Sequence, residues 1–291
     1  MPVSRAPGWV GKGMTSPTTV PSIRLTGGVP IPQFGFGVFG IEPDRTADAV
    51  ALALDAGYRH IDTAQMYRNE QGVGAGIKKS GVPREEVFVT TKLANDAQGH
   101  DNAITALEGS LRRLGTDYVD LYLIHWPLPA KDRYVKTWQA FDEILKAGKA
   151  RAIGVSNFSP AHLDRLAGET GAVPSVNQIE LHPYLQQAEL RRYHEEHGIA
   201  TEAWSPIAQG EVLGDEVVTR IAAAHGRTAA QVVLRWHLAL GHIVFPKSSS
   251  PERIRENIDV FGFALSDEDM RALGGLDRGR RTGPDPETFD G

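Results

Sequence analysis

The chain has 291 residues, a net charge of −5 and no cysteine, which excludes disulfides, thiolate nucleophiles and cysteine-held metals. Lysine and arginine are scattered, which argues against a nucleic-acid groove or an anionic membrane surface as partner. With 41% hydrophobic residues the chain can bury a sizeable core, yet no apolar run approaches the roughly 18–20 residues of a membrane span.

Residues 1–21 are rich in Pro, Gly, Ser and Thr and lack the apolar centre of a signal peptide. They read as a disordered leader, with Met14 as a candidate second start and the cytoplasm as the expected location. Residues 22–31 read as a β-hairpin around Gly27-Gly28. From residue 34 short β-rich runs alternate with amphipathic stretches, the rhythm of a parallel sheet. The expected strands are Phe34–Val38, Tyr58–Asp62, Val87–Lys92, Tyr118–His125, Ala152–Ser156, Val176–Ile179, Ala200–Trp204 and Ile243–Pro246. The expected helices lie near Arg45–Ala56, Glu70–Lys79, Asn102–Leu114, Val135–Lys146, Pro160–Leu166, Gln187–His197, Asp215–His225 and Pro251–Val260, with an extra one at Ser266–Leu273. Asp44, Asn69, Asp101, Ser159, Gln186 and Ser250 stand at or near helix starts as candidate caps. Gly57, Gly115, Gly148 and Gly198 stand just past helix ends.

Eight such units with no linker predict an α/β fold of one domain, residues 22–291. It is a (β/α)8 TIM barrel, with the hairpin capping its bottom and an extra C-terminal helix and tail. An open doubly wound sheet is the competitor, and Gly72-Val73-Gly74-Ala75-Gly76 resembles its phosphate loop. That run falls inside a helical pattern, so it reads as close helix packing instead.

In a barrel the chemistry belongs at the C-terminal ends of the strands. Asp62, Lys92, His125, Ser156-Asn157, Gln178, Trp204-Ser205 and Lys247-Ser248 all fall at those ends. A buried Lys92 needs a carboxylate, which Asp62 can supply. Tyr67, five residues past Asp62, can lean over the mouth, and an adjacent ammonium would lower its pKa, making it a candidate proton donor. Gly154-Val155-Ser156-Asn157-Phe158 lacks the second glycine of a nucleophile elbow. His194 and His197 are three apart with no third ligand, and read as a solvated helix face. No metal is expected.

With these residues the chain resembles the aldo-keto reductases. The segments that carry the likeness are Asp62-Thr63-Ala64-Gln65-Met66-Tyr67-Arg68-Asn69-Glu70, Thr91-Lys92, Leu123-Ile124-His125-Trp126-Pro127, Gly154-Val155-Ser156-Asn157-Phe158, Asn177-Gln178-Ile179-Glu180 and Pro246-Lys247-Ser248. They occur in the family order from about Ser22 to Pro286, and Trp204 points to the bacterial 2,5-diketo-D-gluconate reductases and their actinobacterial relatives. The resemblance implies that Tyr67 protonates a carbonyl oxygen, that Lys92, held by Asp62, lowers its pKa, and that His125 orients the substrate. It implies that Trp204 stacks on a nicotinamide whose carboxamide Ser156, Asn157 and Gln178 hold, with Ser205 and Ile207 also against the cofactor.

Lys247, Ser248, Arg253 and Asn257 suit a phosphate monoester at a helix start, which favours NADPH over NADH. Ser250 stands where close relatives often carry arginine, which softens that preference. Phe39, Trp126 and Ile207 are expected to form an apolar collar. A short Gln209–Val212 loop and a polar tail imply an open site for small aldehydes, ketoaldehydes or keto sugars. The expected partner is that small carbonyl compound, bound by a monomer. A non-enzymatic NADPH-binding redox sensor is the alternative. A metal-dependent barrel hydrolase is the weaker rival, because only His125 and Asp62 would serve it.

Overall fold

A computed structural model describes residues 20–291; nearly all of the expected leader lies outside them. The chain runs β1 (Ser22–Arg24), β2 (Pro30–Pro32), β3 (Phe36–Gly37), α1 (Pro43–Asp55), β4 (His60–Asp62), α2 (Glu70–Ser80) and β5 (Phe88–Leu93). It continues through α3 (His100–Leu114), β6 (Val119–Ile124), α4 (Tyr134–Lys146), β7 (Ala150–Ser156), α5 (Pro160–Thr170), β8 (Val176–Glu180), α6 (Ala188–His197) and β9 (Ala200–Trp204). Then come α7 (Glu216–His225), α8 (Ala229–Ala239), β10 (Ile243–Val244), α9 (Pro251–Ile258) and α10 (Asp267–Gly274).

Strands β3 to β10 pair in sequence order, all parallel. The ring closes where Gly35 N donates to Val244 O (2.8 Å) and Val244 N donates to Gln33 O (3.0 Å). Glycine is required at this seam. A Cβ on Gly35 would lie 2.7 Å from His60 Nδ1, and one on Gly37 would lie 2.8 Å from Phe245 O. The antiparallel pair β1–β2 buries Leu25 and Ile31 against Phe88, Leu121, Leu123, Ala152, Val176 and Ile243. All but Leu123 come from the first half of their strands, so the hairpin plugs the end opposite the catalytic mouth, as expected.

The glycine run 72–76 lies in α2 and packs it against its neighbours. A Cβ on Gly74 would collide with the Leu114 carbonyl at the end of α3, and one on Gly76 would sit 2.7 Å from Val50 of α1.

Several local expectations need correction. The connection from β9 to β10 holds two helices, and α8 was not anticipated. Its start is a Thr228–Gln231 capping box, and it buries Val232, Val233, Leu234 and Trp236. Of the six candidate caps only Ser159 and Ser250 cap a helix. Asp44 and Asp101 fall inside first turns, where a carboxylate suits the helix dipole. Gln186 instead donates to Pro183 O and Leu273 O. His194 is not solvated: it is buried, bonded to Asn177 Nδ2 (2.9 Å) and Thr201 Oγ1 (2.9 Å). His197 alone keeps to the surface, stacked on Tyr193.

Candidate active site

The C-terminal ends of β4, β5 and β6 bring the expected cluster together. Lys92, fully buried, points its Nζ at Asp62 Oδ1 (2.7 Å), Thr63 O (2.9 Å) and the Tyr67 hydroxyl (3.4 Å). These three acceptors take up all three N–H donors of the ammonium. Tyr67 sits in a single 3-10 turn, Gln65–Tyr67. Its ring meets His125 edge-on at 5.8 Å and Phe39 at 5.0 Å. Asn69, expected as a cap, works elsewhere. Its amide donates to Val38 O (2.9 Å), and Thr63 Oγ1 donates to its Oδ1 (2.9 Å). This ties the loop carrying Phe39 to the segment carrying Tyr67.

The electrostatics differ from expectation in one respect. Burial raises the Tyr67 pKa; Lys92 pulls it down only in part, and Asp62 pushes it further up, so the net direction is upward. Tyr67 therefore holds its proton throughout the neutral range. Burial works against charge on Lys92, but Asp62 and Tyr67 outweigh it and the ammonium persists. Burial also depresses His125 to about 3, so its ring is neutral, and its Nδ1 is buried without a hydrogen-bond partner.

Ser156, Asn157 and Gln178 cluster at the ends of β7 and β8, and all three are buried. Much of their hydrogen-bonding capacity is committed inside the protein. Ser156 Oγ donates to Gln178 O (2.8 Å), Asn157 Nδ2 donates to His125 O (3.0 Å), and Trp204 Nε1 donates to Asn157 Oδ1 (2.8 Å). Gln178 Nε2 donates to both Asp62 Oδ2 and Glu202 Oε2, each at 2.9 Å. Asn157, Ser205, Ala208 and Gln209 have positive φ, between 49° and 65°. Strain of this kind persists where the surroundings enforce a functional geometry. Ile207, within this segment, is half-buried against the core.

Around β10 and α9, Ser248 and Asn257 are buried while Lys247 and Arg253 are exposed. Among the described residues neither cation has an acidic partner within salt-bridge distance.

The collar is less open than expected. Phe39 is 69% exposed, but Trp126 is buried beneath Phe289 of the tail, with ring centroids 4.4 Å apart. The polar tail is pinned across the mouth: Thr282 N and Oγ1 donate to Glu180 Oε1 (2.5 and 2.6 Å), and Gly283 N donates to Glu180 Oε2 (3.2 Å). Gly283 presses on Trp204, where a Cβ would clash with the indole. Arg280 fixes the tail to the loop after β9 through both oxygens of Glu211 (2.8 and 3.0 Å). Glu180 closes β8 but was passed over in favour of Gln178, while Glu202 and Phe289 escape the strand-end rule. Glu202 lies mid-strand, and Phe289 is a lone aromatic in a polar tail.

The family model described as "Aldo/keto reductase family" matches residues 33–278. The chain belongs to the aldo/keto reductase family. It is 56% identical over 270 residues to an aldo-keto reductase of Mycolicibacterium smegmatis, covering 93% of this chain and 98% of that one. It is 51% identical over 274 residues to the methylglyoxal reductase DkgA of Yersinia pestis, covering 94% and 98%. A crystal structure of a Gox0644 mutant in complex with NADPH superposes with a TM-score of 0.90 at 50% identity, covering 94% of this chain and 99% of that one. No group of three or more His, Asp or Glu side chains suited to a metal occurs among the described residues.

Proposed function

We propose that this aldo/keto reductase catalyses NADPH-dependent reduction of small aldehydes, ketoaldehydes or keto sugars to alcohols. The observation that carries the proposal is the protonated Tyr67 hydroxyl held against the buried Lys92–Asp62 pair, with a neutral His125 beside it.

The residues present fit the cofactor. Two exposed cations without acidic partners among the described residues, Lys247 and Arg253, flank the N-terminus of α9 with Ser248 and Asn257 buried nearby. That is the donor set a phosphate monoester requires. Trp204, Ser205 and Ile207, at and just after the end of β9, are assigned to the nicotinamide end of the cofactor. Among the described residues no group donates to Gln178 Oε1, which leaves it available to a carboxamide N–H. Bound NADPH supplies the hydride.

The rest of the chemistry belongs to the side chains. His125 donates a hydrogen bond to the carbonyl oxygen and orients it. Tyr67 gives that oxygen its proton. Lys92 stabilises the phenolate that forms once the proton has left, a charge in a water-poor site where such stabilisation is strong. Asp62 keeps Lys92 in place and charged. Phe39, Trp126 and Phe289 exclude water around the carbonyl. The names of the relatives, a methylglyoxal reductase among them, support a small carbonyl substrate.

We further infer that residues 22–291 work as one unit, as a monomer in the cytoplasm. No helix among the described residues is long and apolar enough to cross a membrane. The test is loss of NADPH absorbance on addition of methylglyoxal to purified protein. Turnover is expected; none across a broad carbonyl panel would overturn the proposal in favour of a cofactor-sensing role.

A further inference from the structure

Two carboxyl groups, Asp62 and Glu202, share the Gln178 amide in the barrel interior, with Lys92 the one cation beside them among the described residues. Glu202, in the middle of β9, is fully buried, in register with Gln178 on β8 and Ile243 on β10. Its Oε2 accepts from Gln178 Nε2, and its Oε1 is buried with no partner. The same Gln178 nitrogen donates to Asp62 Oδ2, so both of its protons are committed. The three Lys92 donors are already directed at Asp62, Thr63 O and Tyr67. No cation is left for Glu202. An ionised carboxylate with one bare oxygen in such a place is far more costly than the neutral acid.

We propose that Glu202 is a positioning residue used in its neutral, protonated form: it fixes the Gln178 amide against Asp62 and adds no second negative charge beside the Asp62–Lys92 pair. The inference rests on the reading above, in which Tyr67 and Gln178 face substrate and cofactor. The other ionisable groups toward this interior are His60 and Asp62 from β4, Tyr67 from the turn after β4, Lys92 from β5, His125 after β6 and Glu180 from β8. His60 and His125 are neutral, each depressed to about 3 by burial, and Glu180 is bonded to His182 and the tail. β10 contributes only Ile243 and Val244. Burial, reinforced by Asp62, raises Glu202 to about 8 against the pull of Gln178 and Lys92. Above that pH a second anion joins the cluster. It opposes phenolate formation on Tyr67 and favours the positively charged oxidised nicotinamide over the neutral reduced one.

Two measurements on the full chain test this. Infrared difference spectra between pH 6 and 9.5 should show a protonated-carboxyl band lost near pH 8 in the native protein and missing from E202Q. No such band at pH 7 in the native protein would overturn the proposal, whatever the cofactor does. Dissociation constants for NADP+ and NADPH, read from tryptophan fluorescence, should shift toward tighter NADP+ binding above pH 8, and E202Q should lose that shift. The same shift persisting in E202Q would overturn the proposal. Failure of either nucleotide to bind would strike the cofactor reading, with the infrared band still deciding the state of Glu202.

Discussion

Lys92 lies 2.7 Å from Asp62, and both side chains are shut away from solvent in the barrel interior. The pair is costly to bury and costly to break. Replacing Asp62 with Asn leaves an ammonium without its counter-charge. We expect that substitution to lower stability by about 3–5 kcal/mol in urea denaturation. Turnover should fall with it. An Asp62→Asn protein as stable as the parent would show that the ion pair does not hold this end of the barrel.

The buried histidines give the fold an acid-sensitive term. Burial depresses His60, His125 and His237 to about 3 and His194 to about 4. In the unfolded chain each titrates near about 6.5. Between those values the unfolded state binds more protons, so their contribution to stability is complete above about pH 6.5 and shrinks as pH falls toward the folded-state pKa values. The urea midpoint is therefore expected to drop between pH 7 and pH 5, above the ordinary carboxylate range. A midpoint constant over that interval would contradict the neutral burial of these rings.

Much of this was legible from one sequence because the barrel imposes a rule. Polar residues that close hydrophobic strands converge at one mouth, so Asp62, Lys92, His125, Ser156 and Trp204 could be read together. The hairpin plug followed from turn chemistry around Gly27-Gly28, and the last helix was legible as an extra stretch after the eighth unit. The pKa of Tyr67 was not legible: the sequence places a cation nearby but does not state how much water is removed, and desolvation outweighs Lys92. Helix α8 was missed because one crossover helix between strands is sufficient to close a unit, although Thr228 and Gln231 carried its start signal. The tail was misjudged because Phe289 acquires its meaning only by crossing to Trp126.

The glycine run in α2 can be assigned by substitution. At Gly74 a methyl group would collide with the Leu114 carbonyl, a backbone atom that cannot swing aside. Gly74→Ala is expected to cost about 1–3 kcal/mol of stability, with NADPH affinity unchanged. Lost affinity in a protein of parental stability would instead favour a phosphate loop.

Lys247 and Arg253 are expected to select the extra phosphate of NADPH. Changing both to Ala should weaken NADPH binding by about 100-fold or more, since hydrogen bonds to charged groups contribute about 1.5–3 kcal/mol each. NADH binding should barely move. Equal losses for the two nucleotides, in titrations monitored by fluorescence, would remove the phosphate assignment.

The most direct test of the account is single-turnover reduction of methylglyoxal by Tyr67→Phe preloaded with NADPH. The substitution keeps the ring packed between Phe39 and His125 and removes only the hydroxyl facing Lys92. Nucleotide affinity should be retained while the rate of NADPH oxidation falls about 100-fold or more, the scale of lost general-acid catalysis. Oxidation at the parental rate would contradict proton donation by Tyr67.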